Sequence, residues 1–269
     1  MSSPPQTKKE RRDAARAERK AREEADALKA RRNRRLWQLG AILGGAAIVV
    51  IVAIVISSSG GSSKSTKPPT KGSPAAGIAA TDALFAGIPQ KGNALDNPKA
   101  PVTLQEFADL QCPVCQAYTL DSLPTLIRDY VRPGKVRMVF HQLPILGPDS
   151  QRASQVAAGA SVQNRLWNFA DLFYRNQGEE NTGYVTPAFL AKITAGSKVN
   201  GAQALAQPPP AAARTQLAAD QTLSSHYGFN ATPSFLLGKT GSVSPQPLEQ
   251  VDVTNPSSFS SAINSQLGT

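Results

Sequence analysis

Cys112 and Cys115 are the only cysteines in a chain of 269 residues, and they stand three positions apart in the stretch QCPVCQAY. A pair so placed constrains the fold on both sides. Upstream, Val102, Leu104 and Phe107 are strand-type residues, bounded before by Asn97, Pro98 and Pro101, which predicts a strand that ends just before the pair. Downstream, Tyr118, Leu123, Leu126, Ile127 and Tyr130 recur at helical spacing. Pro113 suits the first turn of that helix, where its missing N–H costs nothing. Cys112 is therefore expected at the helix boundary, beside unpaired backbone amides and the positive end of the helix dipole. That position favours a thiolate. Cys115 is expected one turn inside and shielded, and Pro124 is expected to kink the helix.

Such a pair can hold a metal, staple a loop or carry electrons. A tetrahedral zinc site needs about four ligands, and the only two histidines, His141 and His226, are isolated. No metal and no cofactor is expected. A staple across so short a loop would constrain little of the unfolded chain. A redox pair is the use that the flanking strand and helix start favour.

The remaining organisation is read from composition. Residues 1–35 hold thirteen Lys or Arg against six Asp or Glu, a net of +7 within a chain total of +10. The basic character thus belongs to a tail, and no nucleic-acid partner is expected for the body. From Leu36 to Ile56 the chain is free of charge, long enough to cross a hydrocarbon core of ~30 Å. Trp37 stands at its start, and Arg31, Arg32, Arg34 and Arg35 precede it. The arginines predict a single transmembrane helix with the N-terminus cytoplasmic and the C-terminal domain extracytoplasmic, anchored in the cell membrane. Removal as a signal peptide is the competing reading, but the run exceeds the usual signal core and no A-x-A site follows. Residues 57–84 open in Ser, Gly, Pro and Lys and are expected to be a flexible tether. The folded domain is expected over 85–269, outside the cytoplasm, where a cysteine pair persists as a disulfide.

Within that domain, Glu106 lies six residues before Cys112 in an apolar strand. It is either a surface acid on an edge strand or a buried carboxylate beneath the pair with a raised pKa. A further strand is expected from Ser234, opened by Pro233, with a turn at Gly238 to Gly241. By propensity alone the Thr232–Pro233 bond is expected trans. Residues 136–148 read as a second core strand, with His141 an ordinary strand-end residue. Residues 150–177 have a helical pattern that includes Trp167 as a core residue, and more helical pieces follow. Thr186 and Pro187 mark a helix start, and a closing helix is expected from Asn255.

The strand, Glu106, the CPVC helix start, the helical middle and the ATPSF strand, in that order, resemble the DsbA-like branch of thioredoxin-fold thiol–disulfide oxidoreductases. The chain is similar to the membrane-anchored forms typical of Gram-positive and actinobacterial envelopes. The resemblance covers roughly residues 90–269. It implies an α/β thioredoxin-like fold with an inserted helical subdomain at about 148–220. It also implies that Cys112 is the exposed nucleophile, Cys115 the resolving cysteine and Glu106 the buried acid. Thr232–Pro233 would be cis, against the cysteine pair, where its backbone meets substrate peptide. The implied partners are unfolded or newly translocated proteins with free thiols, and a quinone-linked membrane oxidase of the DsbB or vitamin K epoxide reductase type. The dipeptide between the cysteines is Pro-Val, with no His. Disulfide formation is the expected reaction; the alternatives are a reductase or isomerase of the same fold, or a thioredoxin-like binding module whose cysteines are incidental.

Overall fold

The computed structural model describes residues 73–95 and 97–268. The basic tail, the apolar run 36–56 and the Ser/Gly/Pro stretch lie outside the described residues. Among those described, no helix is long and apolar enough to cross a membrane.

Six strands form one sheet, β1 (Gln90–Lys91), β2 (Ala94–Leu95), β3 (Val102–Ala108), β4 (Val136–Gln142), β5 (Ser234–Lys239) and β6 (Gln246–Pro247), in the order β1-β2-β4-β3-β5-β6. β3 is central. It runs parallel to β4 and antiparallel to β5. A parallel pair needs a crossover, and the crossover is the helix that begins at the cysteines. Because side chains alternate along a strand, Leu104 and Glu106 face the same side as their partners Met138, Phe140, Phe235 and Leu237. This is the wall of the main core. Phe107 faces the other side, where it packs with Leu143 and Leu236 under Leu223, Tyr227 and Phe229.

The crossover helix α2 (residues 113–131) is not uniformly α-helical. Its first turn, Pro113–Ala117, leads into a π-helical segment, Tyr118–Ser122, then α-helical Leu123–Leu126 and a second π segment, Ile127–Val131. Pro124 explains the first. A proline ring crowds the carbonyl four residues earlier and offers no N–H. The chain responds by widening the turn, so that the Leu123 amide bonds to the carbonyl of Tyr118, five residues back. The expected proline effect is thus a π turn that begins at Tyr118, three residues past Cys115.

Between β4 and β5 lies a run of helices: α3 (Pro148–Val162), α4 (Leu166–Arg175), α5 (Pro187–Gly196), α6 (Gly201–Ala204) and α7 (Ala211–His226). The insertion therefore extends past the expected end near 220. The stretch expected as one helical pattern over 150–177 is two helices, broken where Asn164 adopts a positive φ of 58°. Gly159 lets α3 and α6 approach closely, since a Cβ there would stand 2.7 Å from the Cα of Ala204. Thr186 caps α5 through the Phe189 amide with Pro187 at its first position, and Trp167 is buried in the core. Asn255 caps the closing helix α8 (Pro256–Leu267), whose Phe259 and Ile263 are buried against the sheet and α2.

One boundary needs correction. The flexible tether was expected through residue 84, but Ile78–Phe85 forms helix α1, with Thr81 and Phe85 buried. The Thr81 hydroxyl bonds to Asp171, Phe85 packs on Trp167, and the Arg132 guanidinium donates to the carbonyls of Ala83, Leu84 and Ala86. Every one of these partners is distant in sequence, so a local reading of a short Ala-rich stretch had no reason to order it. The expected turn at Gly238 to Gly241 also shifts. Gly238 belongs to β5, where a Cβ would press on Pro245 at 3.1 Å, and the turn follows Lys239.

Candidate redox site

Both cysteines are buried free thiols at the C-terminal end of β3. Cys112 is the N-cap of α2: its backbone is extended (φ −68°, ψ 120°), Pro113 holds the first helical position, and its sulfur accepts from the Cys115 amide at 3.4 Å. The Cys115 thiol, the Thr232 hydroxyl and the helix-start amides of Cys115 and Val114 together stabilise the Cys112 thiolate against desolvation and bring its pKa down to about 6. The neutral thiol instead donates to the carbonyl oxygen of Thr232 at 3.3 Å. Cys115 is the opposite case. Burial, the bond it gives to Cys112 and the nearby charges of Cys112 and Glu106 push its thiol well above the ordinary value. The unequal environments expected of the two cysteines are present, but Cys112, expected to be exposed, is only 5 % exposed, because the Thr232 carbonyl lies against it.

Glu106 is 1 % exposed, in the central strand and not at an edge. The buried alternative is therefore the observed one. Desolvation, reinforced by Cys112, raises its carboxyl to about 8, so near neutral pH the acid is protonated. Thr232–Pro233 is cis, and the Thr232 carbonyl lies against Cys112. Pro233 also borders a groove of about 480 Å³ shared with Tyr227, Phe229, Leu248, Val251 and Val253. All five residues singled out in the sequence, Glu106, Cys112, Cys115, Thr232 and Pro233, are thus brought to one place.

Several supporting residues escaped the sequence reading. Asp109, buried where β3 ends, accepts the Gln111 amide on one carboxylate oxygen (2.9 Å) and the amides of Ile145 and Leu146 on the other (2.8 and 2.9 Å). Its carbonyl takes the Cys112 amide at 3.0 Å and the Tyr174 hydroxyl at 3.0 Å. The Gln177 amide group donates to the carbonyls of Leu110 and Cys112. Loops after β3 and β4 are therefore locked to each other and to α4. The bond from Asp109 to the amide two residues on is a turn habit of Asp, a local signal that could have drawn attention to it. His141 is more than an ordinary strand-end residue: it stacks on Phe107 and bonds Asp220 at 2.7 Å and Gln105 at 2.8 Å. That network lies on the sheet face opposite Glu106. Two apolar residues remain exposed near the loops, Val114 at 46 % and Ile145 at 43 %.

A reactive thiol at a helix start, a shielded partner one turn inside, a buried acid beneath and an X–Pro carbonyl opposite define a thioredoxin-fold dithiol protein. The comparisons with known proteins agree. The family model described as Thioredoxin matches residues 90–254, and the chain belongs to that family. It is 32 % identical over 114 residues to the probable disulfide bond formation protein D of Bacillus cereus, covering 41 % of this chain and 51 % of that protein. With disulfide bond formation protein D of Bacillus subtilis it shares 29 % over 105 residues, 37 % and 46 % of the two chains. The chain spans about half the length of the curated relatives it matches. Among solved structures, oxidised BdbD from Bacillus subtilis superposes with a TM-score of 0.57 at 20 % identity, over 67 % of this chain and 97 % of that one. The alpha-DsbA1 protein of Wolbachia pipientis gives 0.54 at 18 %, over 65 % and 90 %. At these identities the structures establish the fold.

Proposed function

We propose that the protein is an extracytoplasmic thiol–disulfide oxidoreductase, tethered by residues 36–56, that oxidises substrate dithiols to disulfides through Cys112 and Cys115. The observation that carries this reading is the Cys112 sulfur at the start of α2, with its thiol brought down to about 6. In the oxidised form a substrate thiolate attacks the Cys112 sulfur and the Cys112–Cys115 bond breaks. Its electron pair leaves on Cys115, which takes the proton held by Glu106. A second substrate thiolate then attacks the mixed disulfide, and Cys112 departs as a stabilised thiolate. Two electrons pass from the substrate dithiol to the protein, which ends reduced.

Stabilising one thiolate favours the reduced protein and makes its disulfide the better oxidant. With the thiol at about 6 in place of ~8.5, the preference at pH 7 is ~1.4 kcal/mol, or ~30 mV for two electrons. The Thr232 carbonyl beside Cys112, with the groove behind Pro233, supports recognition of an unfolded chain in extended form. Reoxidation needs an electron acceptor that a dithiol protein does not supply for itself, and a quinone-linked membrane oxidase of the DsbB or vitamin K epoxide reductase type would stand within reach of a tethered domain.

Trapping the redox state in growing cells tests the direction. A mostly disulfide-bonded pair, with a Cys115→Ser form that accumulates mixed disulfides on Cys112, is the expected result. A mostly dithiol protein with a potential near the ~−270 mV of thioredoxin would identify a reductase or isomerase, the reading that the absence of a His between the cysteines favours. Protease added from outside should cut between residues 57 and 72 and spare 1–35; cleavage within the basic tail would overturn the orientation.

A further inference from the structure

Tyr118 is fully buried in the π-helical segment that follows Cys115. Its ring meets Phe235 edge-on with centroids 4.9 Å apart and leans on Phe259 at 5.3 Å. Phe235 is the cross-strand neighbour of Glu106, so the tyrosine and the acid share one wall of the core. In that wall the Tyr118 hydroxyl and Oε1 of Glu106 are both buried and neither has a hydrogen-bond partner in the protein. The Ser122 hydroxyl, one turn along α2, is in the same condition. Buried polar atoms are ordinarily satisfied, and a group left without a partner is costly. The other buried site tyrosine obeys that rule, since Tyr174 donates to the Asp109 carbonyl. Orphaned buried groups of this kind suit an enclosed water molecule, which typically makes about three hydrogen bonds to them.

We infer that Tyr118 is a positioning residue for the proton of Glu106: its hydroxyl, with that of Ser122, holds a water molecule against the Glu106 carboxyl and aims the acid proton at the Cys115 sulfur. The inference rests on the exchange reaction proposed above. When the Cys112–Cys115 bond breaks, the electron pair on Cys115 is neutralised by the Glu106 proton, and the reduced protein takes up one proton from solvent to restore the acid. Tyr118 undergoes no net change, because burial and the charges of Glu106 and Cys115 keep its hydroxyl well above the ordinary tyrosine value. Among the described residues, the titratable groups coupled to this cluster are Cys112 and Cys115 on α2, Tyr174 on α4 and Asp109 at the end of β3.

Tyr118→Phe in the full-length protein keeps the ring and removes the hydroxyl. Two readouts are taken. The first is the rate at which Cys115 resolves a mixed disulfide of Cys112 with glutathione, followed against pH. The second is the infrared carbonyl band of protonated Glu106 in the reduced protein, assigned by its loss in Glu106→Gln. Resolution at pH 7 should slow about tenfold, and the band should move to higher frequency as the carboxyl loses its hydrogen bond. Tyr130→Phe, on the same helix with its hydroxyl near Asn264, should change neither. Ser122→Ala should shift the band in the same direction, which keeps the test decisive if Tyr118→Phe folds poorly. A hydroxyl that merely fills space would leave both the pH profile and the band of Tyr118→Phe where they are in the wild type, and that result overturns the inference. Should the wild type fail to form or resolve mixed disulfides at all, the proposed reaction falls, while the band still reports whether Tyr118 touches the Glu106 proton.

Discussion

The sulfur of Cys112 lies 3.3 Å from the carbonyl oxygen of Thr232, a residue 120 positions away in the chain. The contact joins the two halves of the site. One half comes from the start of α2 and the other from the segment that enters β5, and the helical insertion intervenes between them in sequence. Thr232 acts in both protonation states of the thiol, through its carbonyl on the neutral form and through its hydroxyl on the thiolate.

Removing that hydroxyl should weaken the thiolate without removing the helix-start amides. Thr232→Val is expected to raise the Cys112 pKa from about 6 by roughly half a unit to one unit. Thr232→Ser should restore it. Ultraviolet absorbance of the thiolate against pH measures the shift, and an unmoved titration would leave the Cys115 thiol and the amides of α2 as the cause.

The same titration has a signature in the reduction potential. Below about pH 6 both sulfurs take up protons on reduction and the potential should fall by ~59 mV per pH unit; above it only Cys115 does, and the slope should halve to ~30 mV. The reduced protein gains stability from the lowered thiol above pH ~8.5 and loses that gain as pH falls through about 6. The disulfide form carries no such dependence. Potentials equilibrated against glutathione across pH 5 to 8 provide the measurement. A constant slope through that range would contradict the lowered thiol.

Glu106 predicts the opposite trend. Its folded value of about 8 exceeds the ordinary ~4.3, so the folded protein keeps a proton that the unfolded chain releases. Stability on this account is intact below pH ~4 and declines as pH rises toward 8. Glu106→Gln, which cannot ionise, is expected to be more stable than the wild type by about 3 kcal/mol at pH 7, with the difference vanishing in acid. Denaturant unfolding at a series of pH values checks it. A Gln variant less stable at every pH would mean that the carboxylate is compensated by a partner.

Asp109 is expected to matter structurally as much as any core residue. Asp109→Ala leaves the amides of Gln111, Ile145 and Leu146 without their acceptor, and should cost about 3 kcal/mol. The loops after β3 and β4 should then open locally, seen as lost hydrogen-exchange protection at Ile145 and Leu146. Unchanged protection would show that neighbouring contacts suffice to hold them.

Much of this molecule is local and therefore legible in the sequence. The strand before the cysteines, Pro113 at the helix start, the caps at Thr186 and Asn255 and the apolar rhythm of β4 depend on backbone preferences and alternation that neighbours in sequence decide. So does the asymmetry of Cys112 and Cys115, because a helix terminus exposes its amides to the first residue and hides them from the fourth. What sequence alone left open was settled by tertiary contact. Glu106 could have faced water at a sheet edge; it is buried because β4 and β5 pair on either side of β3, and its raised pKa follows from that desolvation. Residues 78–84 looked like tether until Trp167, Asp171 and Arg132 closed on the helix they form. Thr232 reaches Cys112, and Tyr118 shares a wall with Glu106, because the sheet places Phe235 beside Glu106 and the start of β5 opposite α2. A pKa depends on the charges and solvent within a few ångströms, and in this protein two of those neighbours, Thr232 and Phe235, come from a segment more than a hundred residues away.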